Sequence, residues 1–376
     1  ITFFDPATLL GFSSRCKLPK SIADSYFSSS LTAIIAGLVF RLEKKTKRSL
    51  QEASVIGRVF FYEILKKVTE LKQNIDQSLK GLVQLDLISS RSLQPELEYM
   101  FKHALTQEVV YNGLLKKERK EIHEKIGFVM EQLFQNRLPE FYETLAFHYR
   151  QGHSLEKAAE YLIKSGEKSL NRFSLDEAHQ YYQQAYDLLF PGLSKTEEGK
   201  NLLFDLLDKW ALVYYYYGRF RDLVTLFRAH EAAAESLEDK GRSGMFYAWL
   251  GMAIWATGKI RDSYRYFRKA LKLGEEINDR RVIGYACTWL PLACVEVGLM
   301  DEGIDYGERA KRIAEELPSD QYLYFKSRGD LGYLHYFRGD SKKNLECGKE
   351  MIVYGEKHAN IRAQAMGHAV VGWGYL

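Results

Sequence analysis

The chain has 376 residues, enough for two or three domains, with 46% hydrophobic and 27% charged residues and only 7 prolines. That balance excludes a disordered or collagen-like chain, and 25 Tyr with 21 Phe can fill a large core. A net charge of +4 is too small to imply nucleic acid by itself.

Four cysteines, Cys16, Cys287, Cys294 and Cys347, form no CxxC pair. They read as reduced thiols of a cytoplasmic protein. The longest apolar run, 31–40, is interrupted by Thr32 and Gly37 and is about half the ~20 residues of a spanning helix, so no membrane span is expected. The chain starts on Ile1 without a signal-peptide pattern and stops inside an apolar helical pattern, so it is expected to be a piece of a longer protein.

After residue 41 the pattern predicts an amphipathic helix, LEKKTKRSLQEASVIG, ending at Gly57. FFYEILKKV and IDQSLKGLVQLDLI read as two more short helices. A small β-hairpin follows, from Leu87 and Ile88 through a polar loop with Pro95 to Tyr99, Met100 and Phe101. ALTQEVVYNGL and ERKEIHEKIGFVMEQLF are again helical. Three helices, a hairpin and further helices predict a winged-helix-like domain over 42–137. The equivalent of a DNA-reading helix, 75–85, has only Lys80 and carries Asp76, so no nucleic-acid partner is expected. The basic run at Lys116, Lys117, Arg119 and Lys120 reads as a solvated helix face.

From residue 138 the chain repeats itself. Gly218, Gly258, Gly298 and Gly339 close four similar phrases at spacings of 40, 40 and 41 residues. Each lies between two apolar-periodic segments, which predicts helix, tight turn, helix, with glycine in the left-handed C-cap. Seven residues before them stand Ala211, Gly251, Pro291 and Gly332, where small residues let paired helices approach. Pro291, mid-helix, is expected to kink its helix. Tyr247, Leu250, Gly251, Gly258, Phe267 and Ala270 resemble a tetratricopeptide repeat, as do Leu145, Ala146, Tyr149, Ala158 and Leu162 upstream. The fold class is therefore mostly all-α, with an α-solenoid over 138–376 whose last repeat is truncated.

In such a solenoid the first helix of each pair lines a concave face. Tyr215, Met252, Trp255, Tyr333 and Tyr336 form an aromatic and Met-rich stripe on those helices. It either packs repeat against repeat or binds a protein or peptide partner, and these five are the partner-binding candidates. The Lys/Asn set that grips a carboxylate in some tetratricopeptide domains is missing, with Asp208, Ala248, Thr288 and Gly329 where its Lys is expected.

LQEASVIGRVFFYEIL and YMFKHALTQEVVYNGLLKKERKEIHEKIG resemble the winged-helix stretch of signal-transduction ATPases with numerous domains, the STAND class. The likeness is to bacterial proteins in which a class III adenylate/guanylate cyclase or a protein kinase precedes the ATPase and C-terminal repeats. It implies that 1–41 is a remnant of the ATPase lid. It also implies that a P-loop module using ATP/ADP and Mg lies upstream, since no GxxxxGK[ST] occurs here. In full-length proteins of this class a His at the place of His103 senses the nucleotide; the alternative is a His that merely packs or caps its helix. The chain holds no HExxH, GxSxG or clustered metal ligands, so no catalytic residue, cofactor or metal is assigned to it.

Overall fold

The computed structural model describes residues 32–69, 74–93, 96–190, 192 and 195–376. Cys16 and most of the expected lid remnant lie outside the described residues. The chain divides into two compact units that part between Leu155 and Glu156.

In the first unit the order is α1 (32–40), α2 (Lys44–Ile56), β1 (Val59–Phe61), α3 (Tyr62–Val68), α4 (Ile75–Gln84), β2 (Ile88–Leu93) and β3 (Glu96–Phe101). Then come α5 (Ala104–Asn112), α6 (Lys116–Leu133), a 3-10 turn over Gln135–Glu140 and α7 (Tyr142–Gln151). Gly57 ends α2 at φ 149°, a backbone that side chains rarely adopt, and its N–H bonds the carbonyl of Ala53. The hairpin is present and longer than its apolar ends suggested, with Ile88 opposite Phe101 and Leu93 opposite Glu96. One expectation is corrected: the start of FFYEILKKV is strand, not helix. Val59–Phe61 pairs antiparallel with β3, giving a three-stranded sheet in the order β1-β3-β2. Burying Phe60, 1% exposed, against Tyr99 and Phe101 at 5.8 Å outweighs the local helical pattern. Phe60, Leu50, Leu65, Leu79, Leu82 and Ile88 centre the core of this unit.

The second unit is a run of helices: α8 (Leu155–Asn171), α9 (Leu175–Leu189), α10 (Glu197–Tyr217), α11 (Phe220–Arg228), α12 (Glu231–Glu235), α13 (Lys240–Trp255) and α14 (Ile260–Ile277). It continues through α15 (Arg280–Val297), α16 (Met300–Glu316), α17 (Gln321–Arg338), α18 (Ser341–Lys357) and α19 (Ile361–Gly374). Gly218, Gly258, Gly298 and Gly339 all take the left-handed conformation, φ 66–83°. Each first helix is also marked at its start. Asp239, Asp279, Asp320 and Asn360, again 40 or 41 residues apart, accept backbone N–H bonds as N-caps of α13, α15, α17 and α19. The small positions act as expected: a Cβ on Gly251 would stand 2.7 Å from the Phe267 ring of α14. Pro291 lies inside α15, whose helix is continuous across it from Arg280 to Val297.

Candidate functional site

The repeats frame a half-open cavity of about 960 Å³, at the upper end of the range for ligand sites. Its walls come from α8, α9, α10, α13, α15, α17 and α19 together with the turns that open α9, α17 and α19. First helices supply most of it because they form the inner layer of the stack. Trp249, Tyr285, Tyr322 and Phe325 give an aromatic wall: Trp249 to Tyr322 is 6.0 Å, Tyr285 to Tyr322 is 5.9 Å, and Tyr322 to Phe325 is 5.4 Å. Burial pushes the Tyr285 and Tyr322 phenols well above the ordinary tyrosine range, so both are neutral proton donors.

A charged strand of contacts crosses this wall. Arg281 Nη1 donates to Asp208 at 2.9 Å, and its Nε lies 3.7 Å from Asp320. Asp208 also accepts the Trp249 indole N–H at 2.8 Å. Asp320 caps α17 through the Leu323 N–H at 2.9 Å and accepts the Tyr285 hydroxyl at 3.4 Å. The Asp208 carboxylate holds the Arg281 guanidinium firmly charged, against the cost of its partial burial. Lys209 donates to Glu167 at 2.7 Å. On the same wall Arg362, two residues after the cap of α19, lies over the rings of Phe173 at 3.4 Å and Tyr216 at 4.1 Å and donates to the Tyr216 hydroxyl.

The sequence-predicted residues fall elsewhere. Tyr215 is half-buried with its ring 5.7 Å from Tyr322 and 6.4 Å from Trp249, beside the cavity rather than on its wall. Met252 is 2% exposed and sits in the core. Trp255 is half-buried, and its indole N–H has no hydrogen-bond partner among the described residues. Tyr333 and Tyr336 come together around Trp373, at 5.9 and 6.3 Å. None of these five lines the cavity. The lining residues Asp208, Arg281, Asp320 and Arg362 escaped the sequence reading. Two signals were present: Asp208 holds a position equivalent to Lys in a carboxylate clamp, and Asp320 belongs to the 40-residue series of caps.

His103, in the first unit, is exposed at the N-cap of α5 directly after β3, and its side chain makes no capping bond. Asp76 of α4 accepts the Tyr62 hydroxyl at 2.8 Å. Lys117 is exposed and pairs with Glu121 at 3.9 Å, and Arg119 lies over Tyr111 at 4.8 Å, a solvated face of α6. Cys287, Cys294 and Cys347 are buried free thiols, all pushed up to about 12 by burial. No described helix is long and apolar enough to cross a membrane.

No family model matches the chain. An uncharacterised protein of Rhizobium meliloti (strain 1021) is 33% identical over 93 residues, which are 24% of this chain and 9% of that protein. Among solved structures, a signal transduction ATPase with numerous domains that carries a tetratricopeptide repeat sensor, from Pyrococcus horikoshii, is similar at 16% identity and TM-score 0.42. The match covers 90% of this chain and 55% of that one. Aspartyl phosphate phosphatase F of Bacillus subtilis is similar at 13% identity and TM-score 0.44, over 95% and 90% of the two chains. This chain thus spans little of its sequence relative and about half of the Pyrococcus protein, and at such scores its function rests on its own residues.

Proposed function

We propose that the chain is the regulatory, non-catalytic region of a multidomain signal-transduction ATPase of the STAND class, in which the repeats receive a protein or peptide signal. The observation that carries this reading is the half-open cavity, with an aromatic wall and a chain of charged groups contributed by successive repeats. Such a mixture of apolar surface and few oriented polar groups suits recognition of one ligand. The order helix, strand, helix, helix, strand, strand in the first unit, with its three-stranded sheet, supports the winged-helix reading of 42–137. The exposed place of His103 just after β3 supports a nucleotide-sensing role toward an upstream module that would hold ATP/ADP and Mg.

The test compares the wild-type chain with Leu212→Trp, which fills the cavity from α10. The two should melt within a few degrees of each other, and only the wild type should retain a partner when used as bait. A partner held equally by both would remove the cavity from the mechanism. The chain alone should neither hydrolyse ATP nor bind it with micromolar affinity in calorimetry. The alternative, that the full-length protein is a class III cyclase or a protein kinase, rests on the sequence resemblance and is decided by the coding sequence before Ile1.

A further inference from the structure

The polar groups on the cavity wall are not equally satisfied. The carboxylates are filled: Asp208 takes Trp249 and Arg281, Asp320 takes Leu323, Tyr285 and Arg281, and Glu167 takes Lys209. Arg281 and Lys209 are thereby neutralised. Arg172, at the mouth, is within 3.8 Å of Glu177. Arg362 differs. The groups that act on it are burial and the Tyr216 hydroxyl, and no described carboxylate is among them. A guanidinium has five N–H donors in a planar fork. One is used by Tyr216, and the guanidinium is held over two rings that are tilted by 55° to each other, which leaves its remaining donors without a partner among the described residues.

A second, independent feature lies directly against it. In four repeat turns the left-handed position is glycine, but in the turn between α8 and α9 it is Phe173, at φ 65°. A side chain in that conformation is strained, because its Cβ crowds the following carbonyl oxygen. Strain of this kind persists at ligand-holding positions when the surroundings fix it. Here the strained residue puts its ring under Arg362, so the turn is shaped to present that guanidinium. Ile361, 77% exposed, and Phe173 give the fork an apolar flank.

We infer that the cavity takes a ligand ending in a carboxylate with an apolar or aromatic group beside it, the carboxylate docking on Arg362 where Phe173 and Tyr216 hold it. This rests on the cavity being the ligand site and adds the chemistry of what enters. A carboxylate fits because its two oxygens match the planar fork, and because the cations Arg281 and Lys209 of the wall are already paired with carboxylates, while the Tyr182 and Tyr322 hydroxyls, without partners among the described residues, are further donors. Two sources share this chemistry, the C-terminus of a short peptide and a free carboxylic acid.

The experiment uses the whole chain and two matched pairs of probes, acetyl-Ala-Leu-Phe as free acid and as C-terminal amide, and 3-phenylpropionate and its amide, by titration calorimetry. In at least one pair the acid should bind tenfold or more tightly than the amide, and the pair that does so names the source. Arg362→Gln should erase that preference and Arg362→Lys should keep part of it, with melting curves showing both variants folded. Equal binding of acid and amide in both pairs, a preference that survives in Arg362→Gln, or no binding of any probe at millimolar concentration would overturn the inference. Leu212→Trp separates the two levels. Binding that persists in it sinks the cavity itself, whereas loss of binding together with no acid preference in the wild type sinks only the carboxylate.

Discussion

In the first unit, His123 and His148 meet in the interior with their Nδ1 atoms 2.9 Å apart, and His123 Nε2 lies 3.1 Å from the Tyr111 hydroxyl. In the second, Lys326 donates to Asp330 at 2.6 Å, with both side chains more than nine-tenths buried. The histidines have no counter-ion among the described residues. Burial, with Arg119 for one and the neighbouring ring for the other, pushes them down to about 4 for His123 and about 3 for His148, so both are neutral at pH 7. The lysine has a counter-ion four residues on, which keeps it charged. Burial still pushes the Asp330 carboxyl up to about 6 against the pull of Lys326, and its second oxygen has no hydrogen-bond partner among the described residues. A polar pair is therefore tolerated inside this protein by neutrality in one unit and by pairing in the other. The first solution fails in acid, and the second fails when a partner is removed.

The largest expected effect comes from breaking the ion pair. Lys326→Met leaves Asp330 alone in the interior and should cost about 3–5 kcal/mol in denaturant unfolding at pH 8. The loss should be smaller at pH 5, because a carboxyl whose folded pKa is raised binds its proton there and no longer buries a charge. Lys326→Met with Asp330→Leu should recover most of the stability. A cost independent of pH would mean that shape, not charge, matters at this site.

Trp249→Ala tests whether the aromatic wall is also structural. At 2% exposure the indole should be worth about 3–5 kcal/mol, and its loss frees Asp208 from a hydrogen bond. Trp255→Ala, half-buried, should cost clearly less. The reverse order in thermal melts would move the packing centre from the cavity wall to the outer end of α13.

The histidine pair gives a smaller, pH-dependent effect. Unfolded histidines take up protons below about pH 6.5, whereas the buried ones resist until about 4 and 3. The unfolded state binds more protons between these limits, so stability falls as pH drops through that window. At pH 5, His123 alone should lower it by about 2 kcal/mol relative to pH 7.5. His123→Gln should remove its share of the fall and leave that of His148, and an unchanged profile would mean the pair is not the acid-sensitive element. Phe173→Gly should be nearly neutral, within about 1 kcal/mol, because relief of the left-handed strain offsets the lost contact with Arg362.

Much of this was legible in the residue pattern. The turns at Gly218, Gly258, Gly298 and Gly339, the α2 stop at Gly57 and the hairpin ending in Phe101 are local facts: a backbone that favours glycine, or apolar alternation around a polar loop, is written in a few consecutive residues. The caps at Asp239, Asp279, Asp320 and Asn360 were equally local and went unread. Strand β1 was not legible, because three residues become a strand only when β3 offers Tyr99 and Met100 as partners. Nor was the cavity. Asp208 and Arg281 are 73 residues apart, and Tyr216 and Arg362 are 146 apart. Periodicity fixes which face of a helix is apolar, so it drew attention to the stripe through Trp255 and Tyr336. Which residues stand opposite one another depends on how far each helix pair turns relative to the last, and that angle is summed over several interfaces. The sequence by itself determined the helices, their ends and their 40-residue spacing, whereas only the tertiary structure decided that Phe173 and Arg362 would meet.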